Sequence, residues 1–320
     1  MRTLVIGLAV LLLAGNAWAA IRFYPDGAPE VDYASPYTFT ATTVGNLGVG
    51  AQANTKTLLF AYQTLDGSCL FYQTGGTITN VTGGQLELGY LEYAGTVITY
   101  ALSGGSMTTA GSTDLGTANT PNLGSFTLAV SGTGSYSGGG TARIGDGAAG
   151  TATLAVSGSG SVSLNNYVQL GDGNSYVQVT GGNASISFNT PWTGGNTGTG
   201  VYAVGGLDFT LDANGTNISP IVCGDNFDLS NAGNAGVIDM ALSGFTPAQD
   251  QVFDIITSTG TIYVPTAGVS ALLDAGDVGT WSLAIVGGSD KLQATYLLPE
   301  PATMALLGLG GLGLLLRRRR

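Results

Sequence analysis

The stretch Thr127-Leu-Ala-Val-Ser-Gly-Thr-Gly-Ser135 returns as Thr153-Leu-Ala-Val-Ser-Gly-Ser-Gly-Ser161, and Ile144-Gly-Asp-Gly147 returns as Leu170-Gly-Asp-Gly173. Both offsets are 26 residues, so these are two consecutive copies of one unit. A looser third copy follows in Val177-Gln-Val-Thr-Gly-Gly182 and Ala184-Ser-Ile-Ser-Phe188. Further echoes, an apolar residue then Ser or Thr then Gly, fall at Val81, Leu102, Val130, Val156 and Val179, in steps of 21, 28, 26 and 23 residues. Within each unit apolar and small polar residues alternate, as in Leu154-x-Val156 and Val162-x-Leu164, before a Gly or Asn turn. Period two closed by turns predicts short strands, and no stretch between Thr40 and Leu298 carries a helical apolar stripe.

Units of 20 to 30 residues with two or three strands fit the coils of a parallel β-helix, in which each coil buries its apolar side only by stacking on its neighbours. The alternative is an antiparallel β-sandwich, which also alternates strands and turns. The segment from 220 to 298 is bulkier, with Phe245, Phe253, Ile255, Ile256, Tyr263, Leu272, Leu273, Trp281 and Leu283. It reads as a β cap over the last apolar layer. Phe23, Tyr24, Tyr33, Tyr37 and Phe39 supply candidates for the opposite cap. The expected organisation is therefore a signal segment at 1–19, an N-terminal β region at 20–76, solenoid repeats at 77–219, a C-terminal β cap at 220–298 and a terminal segment at 299–320.

The two ends read as addresses. Arg2, the apolar run Leu4–Ala14 and the small-x-small site Ala17-Trp-Ala19 before Ala20 have the layout of a signal peptide, with the mature chain expected to begin near Ala20. At the other end Pro299-Glu300-Pro301 precedes an apolar stretch, Ala302–Leu316, and four terminal arginines, Arg317, Arg318, Arg319 and Arg320. A helix there is short for a membrane span, and the arginines would hold its end in the cytoplasm. The alternative is a plain tail anchor. This order of motif, apolar helix and arginine cluster resembles the PEP-CTERM sorting signal. The resemblance implies recognition by an exosortase, a membrane enzyme that cuts near the motif. It implies an inner-membrane-anchored intermediate and a destination at the cell surface or in the extracellular matrix. The repeat wording, with Phe253-Asp-Ile-Ile256 followed by Trp281-Ser-Leu283, also resembles autotransporter-like and PEP-CTERM passenger proteins over about Thr77 to Tyr296.

Composition excludes several chemistries. Between the end segments nineteen acidic residues face four basic ones, Arg22, Lys56, Arg143 and Lys291, a formal charge of −15. Such a surface is a poor partner for nucleic acid, whose phosphates need clustered Lys and Arg. The chain has no histidine, and so lacks the commonest general base and transition-metal ligand. Cys69 and Cys223 are either a disulfide, as an oxidising compartment permits, or two buried thiols. In stacked coils Asp146 and Asp172 would lie about 5 Å apart. That spacing suits a Ca²⁺ site or a retaining glycosidase pair, although Asp between glycines is also simply a good turn residue. Tyr136, Tyr167, Tyr176 and Trp192 are the aromatics that could stack on sugar rings; the alternative is packing. The expectation is a non-catalytic structural or adhesive protein with no cofactor, partnered by exosortase, the secretion machinery and extracellular polysaccharide. The alternative is a β-helix lyase or glycosidase.

Overall fold

The computed structural model describes residues 20–23, 31–34, 37–39, 44–47, 56–60, 69–80, 85–88, 97–116, 124–145, 151–170, 175–189, 201–203, 206–212, 220–229, 237–243, 246–264, 270–273 and 280–298. All regular structure among them is strand. The expected signal helix and transmembrane helix fall at residues outside this set, and no helix of the described residues is long and apolar enough to cross a membrane.

The strands wind as a parallel β-solenoid with three faces per coil. In one coil these are Ser125–Val130, Ser135–Gly138 and Ala142–Ile144; in the next they are Thr151–Ser157, Ser161–Leu164 and Val168–Leu170. Each strand pairs in parallel with its counterpart one coil on: Val130 with Val156, Tyr136 with Val162, and Ile144 with Leu170. The third coil, Ser175–Thr180, Ser185–Phe188 and Val201–Ala203, continues all three ladders. Parallel ladders of this kind set aside the sandwich. The same pairing continues beyond the 77–219 segment in both directions. Lys56–Phe60 pairs with Gln85–Leu88 and Cys69–Asn80 with Val97–Thr109; downstream, Gly206–Asp212 pairs with Val237–Ser243.

Alternation explains why the coil closes. In Ser125–Val130 every second side chain is buried, so Phe126, Leu128 and Val130 enter the core while Ser125, Thr127 and Ala129 face out. Stacking then forms apolar columns such as Leu102, Val130, Val156 and Val179, each fully buried. Every such side chain contributes on the order of 1.5–3 kcal/mol. The corner between the first two faces is tight. Gly158 takes a left-handed φ of 61°, and a Cβ at Gly160 would lie 2.5 Å from the Val130 carbonyl oxygen.

Leu102 stacks on Gln73, not on Val81. The equivalent corner is Gln73-Thr-Gly-Gly76, matching Leu102-Ser-Gly-Gly105, and a buried polar Gln73 in an apolar column hides the match from a hydrophobicity reading.

Both ends depart from the parallel rule. Ala20–Phe23 runs antiparallel to Val31–Ala34 and to Lys56–Phe60, at one end of the third face. At the other end Val252–Ser258 pairs antiparallel with Lys291–Leu297, which pairs in turn with Thr280–Val286. This hairpin packs Trp281 edge-on to Phe253 and Tyr296, with ring centroids 5.8 and 5.0 Å away. The backbone of its turn also closes the last strand edge. The Ser289 carbonyl accepts from Ile262 N–H at 2.7 Å, and the Asp290 carbonyl from Ser258 N–H at 2.8 Å. Of the residues expected in the cap, Phe253, Ile255, Ile256 and Trp281 are buried and Leu283 packs against them, but Tyr263 is 45% exposed.

Candidate functional site

The interior of the upstream coils is partly polar. The Tyr100 hydroxyl donates to Gln73 Oε1, and Gln73 Nε2 donates to the Ser106 carbonyl at 3.0 Å. One coil further, the Tyr136 hydroxyl bonds Thr109 Oγ1 at 3.1 Å and Thr113 Oγ1 at 2.5 Å. Tyr136 is therefore not a sugar-stacking surface group. It occupies the inward position of its strand and is 1% exposed. Burial pushes its pKa up to about 12, opposed by the two threonine hydrogen bonds and assisted by the Asp114 charge. Tyr100 is raised in the same direction, by burial and then by Tyr136.

The outer surface of the second face is a two-column array of hydroxyls. Thr77, Ser106, Ser135, Ser161 and Ser185 form one register column; Thr108, Ser137, Ser163 and Ser187 form the other. Its rungs bond one another: Ser106 Oγ donates to Thr77 Oγ1 at 3.2 Å, Asn189 Nδ2 to Ser163 Oγ at 2.8 Å and to Asn165 Oδ1 at 3.0 Å.

The third face differs. Its strands are only two or three residues long, and Asp114, Arg143, Gln169, Tyr202, Asp228 and Tyr263 share one register file, in which Arg143 and Tyr263 are exposed, Gln169 is half-buried, and Asp114 and Asp228 are buried. Steps of about 4.8 Å make the file about 24 Å long. Asp114 is nearly buried, accepts from Ser112 Oγ at 2.7 Å, and lies 3.9 Å from Arg143 Nη1. The Arg143 side chain is 48% exposed. The file was not anticipated, yet it had a signal: the repeating tripeptide before glycine in Thr113-Asp-Leu-Gly116, Ala142-Arg-Ile-Gly145 and Val168-Gln-Leu-Gly171.

Asp146 and Asp172 lie outside the described residues, two positions beyond the paired Ile144 and Leu170. Among the described residues no three of His, Cys, Asp and Glu converge as a metal site would require. Cys69 and Cys223 are not brought together. They lie on strands linked through five successive pairings, about 24 Å of stacking, whereas a disulfide needs Cα atoms within about 7 Å. Cys223 is buried, with Sγ donating to the Asn226 carbonyl at 3.5 Å. Tyr167 and Tyr176 are half-buried; Trp192 lies outside the described residues. So do Ala17, Ala19, Pro299, Glu300, Pro301 and Arg317–Arg320, while Ala20 begins the first described strand.

These features define an all-β protein built on a parallel β-solenoid. Residues 298–320 match the PEP-CTERM protein-sorting motif, so the chain carries at this end a signal that implies export and sorting by an exosortase. No curated protein and no solved structure matches the chain.

Proposed function

We propose that this protein is a non-catalytic structural or adhesive component of the cell surface or extracellular matrix, delivered there by exosortase processing of its tail. The observation that carries the reading is the junction at its C-terminus. The final cap strand ends at Leu297 and the sorting motif begins at residue 298, so the solenoid is cargo joined directly to an export address. A second face built largely from Ser and Thr, a strongly negative mature charge and a sequence without histidine support a scaffold over an enzyme. Intact mass and cell fraction, measured in the native host, test this. A mass running from Ala20 to near Pro299, found outside the cell and with the matrix, is the expected result. A membrane-bound form that retains Arg317–Arg320 would overturn it in favour of a tail anchor. Glycan product release that disappears in Asp146→Asn or Asp172→Asn would overturn the non-catalytic part and establish a β-helix carbohydrate-active enzyme.

A further inference from the structure

We propose that the register file of the third face is the track on which this protein holds an extended, neutral polysaccharide. The inference rests on the adhesive reading and names the surface responsible.

Three observations converge. First, the parallel register places Asp114, Arg143, Gln169, Tyr202, Asp228 and Tyr263 at successive rungs of one sheet, a linear arrangement suited to a linear polymer. Second, the chemistry of the file is mixed. The Arg143 guanidinium and the Gln169 amide donate to sugar oxygens, and the exposed Tyr263 ring offers an apolar plate for the C–H face of a pyranose. The second face, over the same coils, presents mainly hydroxyls that bond one another or the flanking Asn165 and Asn189 amides. Third, Arg143 at 48% and Tyr263 at 45% are among the more exposed side chains, while Asp114, itself nearly buried, holds the guanidinium from beneath. Asp114 is thus a positioning residue.

Charge selects the class of ligand. The mature chain carries nineteen acidic against four basic residues, so an anionic polymer is repelled at long range. A neutral glycan pays no such penalty.

Affinity electrophoresis of the full chain tests the proposal, with native gels cast containing hydroxyethylcellulose, laminarin or dextran, and alginate as the anionic polymer. Retardation by at least one neutral glucan and none by alginate is expected. Arg143→Ala should weaken it about tenfold, the loss of one charge-assisted hydrogen bond. Arg143→Lys should recover only part of it, because the ammonium lacks the planar fork. Tyr263→Ala, at an exposed position, should weaken binding without lowering the melting temperature. The paired change Ser137→Ala and Ser163→Ala on the second face should leave retardation unchanged. Retardation that survives Arg143→Ala and Tyr263→Ala, retardation lost in the serine variant, or retardation by alginate alone would each overturn the proposal. So would mobility unaffected by all three neutral glucans. If the wild-type protein is nevertheless recovered with the matrix, only the assignment of the face falls; if it is not recovered there, the adhesive reading falls as well.

Discussion

Tyr136 shows how a single side chain can reverse its apparent role. Its neighbours Ser135 and Ser137 face outward, so the strand's alternation turns the ring inward, where the hydroxyl finds Thr109 and Thr113. Replacing it with Phe keeps the ring but strands two threonine hydroxyls, which should cost about 1–2 kcal/mol in a denaturant titration at neutral pH. The pH dependence has a definite sign. Tyr136 titrates at 10.0 when unfolded and about 12 when folded, so its protonated form is favoured by folding. That contribution is complete below pH 10 and is lost as pH rises through about 12. Wild-type protein should therefore lose more stability than Tyr136→Phe between neutral pH and about pH 12, measured as the shift in denaturation midpoint. Gly160 sets a second limit at this scale. Its replacement by Ala drives a methyl group into the Val130 carbonyl, and the melting temperature should fall markedly.

At the scale of elements, the terminal hairpin differs from the coils that it closes. Its aromatic cluster replaces the stacked aliphatic columns, and its turn backbone accepts from the Ser258 and Ile262 N–H groups. Trp281→Ala should cost about 3–5 kcal/mol and, by loosening the cap, raise light scattering on heating. Outside the core, Asp254 accepts from Gln293 Nε2 at 2.7 Å and from Lys291 Nζ at 2.9 Å. Those bonds hold its carboxyl below the ordinary 3.8. Their stabilising effect is present above that value and disappears as pH falls through the folded-state pKa, so Asp254→Asn should narrow the difference in melting temperature between neutral and acid conditions. The bulky residues Phe253, Ile256 and Trp281 made this cap legible in the sequence, because apolar volume concentrated after small-residue coils has to cover something. Its antiparallel pairing was not legible: alternation predicts strands and is silent on their direction. The third-face file was hidden for a related reason, since strands of two or three residues are too short for periodicity to stand out.

For the molecule as a whole, the register explains both the clarity of the repeat and its limits. Val130 and Val156 occupy the same place in adjacent coils, so deletion of residues 131–156 rejoins the chain in phase. That variant should remain folded with a β-type circular dichroism spectrum and a lowered melting temperature. Deletion of residues 131–143, half the repeat, should abolish the cooperative transition, because the two halves of the stack can no longer share columns. The near-identical copies revealed the solenoid; divergent coils such as that at Gln73 were recoverable only from the geometry. The final strand, Lys291–Leu297, lies between two antiparallel neighbours and runs straight into the sorting motif. Tension applied through that tail pulls the strand along its own length. Its hydrogen bonds on both sides are then loaded in shear and share the force, instead of parting one by one from an end. A load applied at residue 298 therefore meets, in the cap, the element best placed to resist extraction.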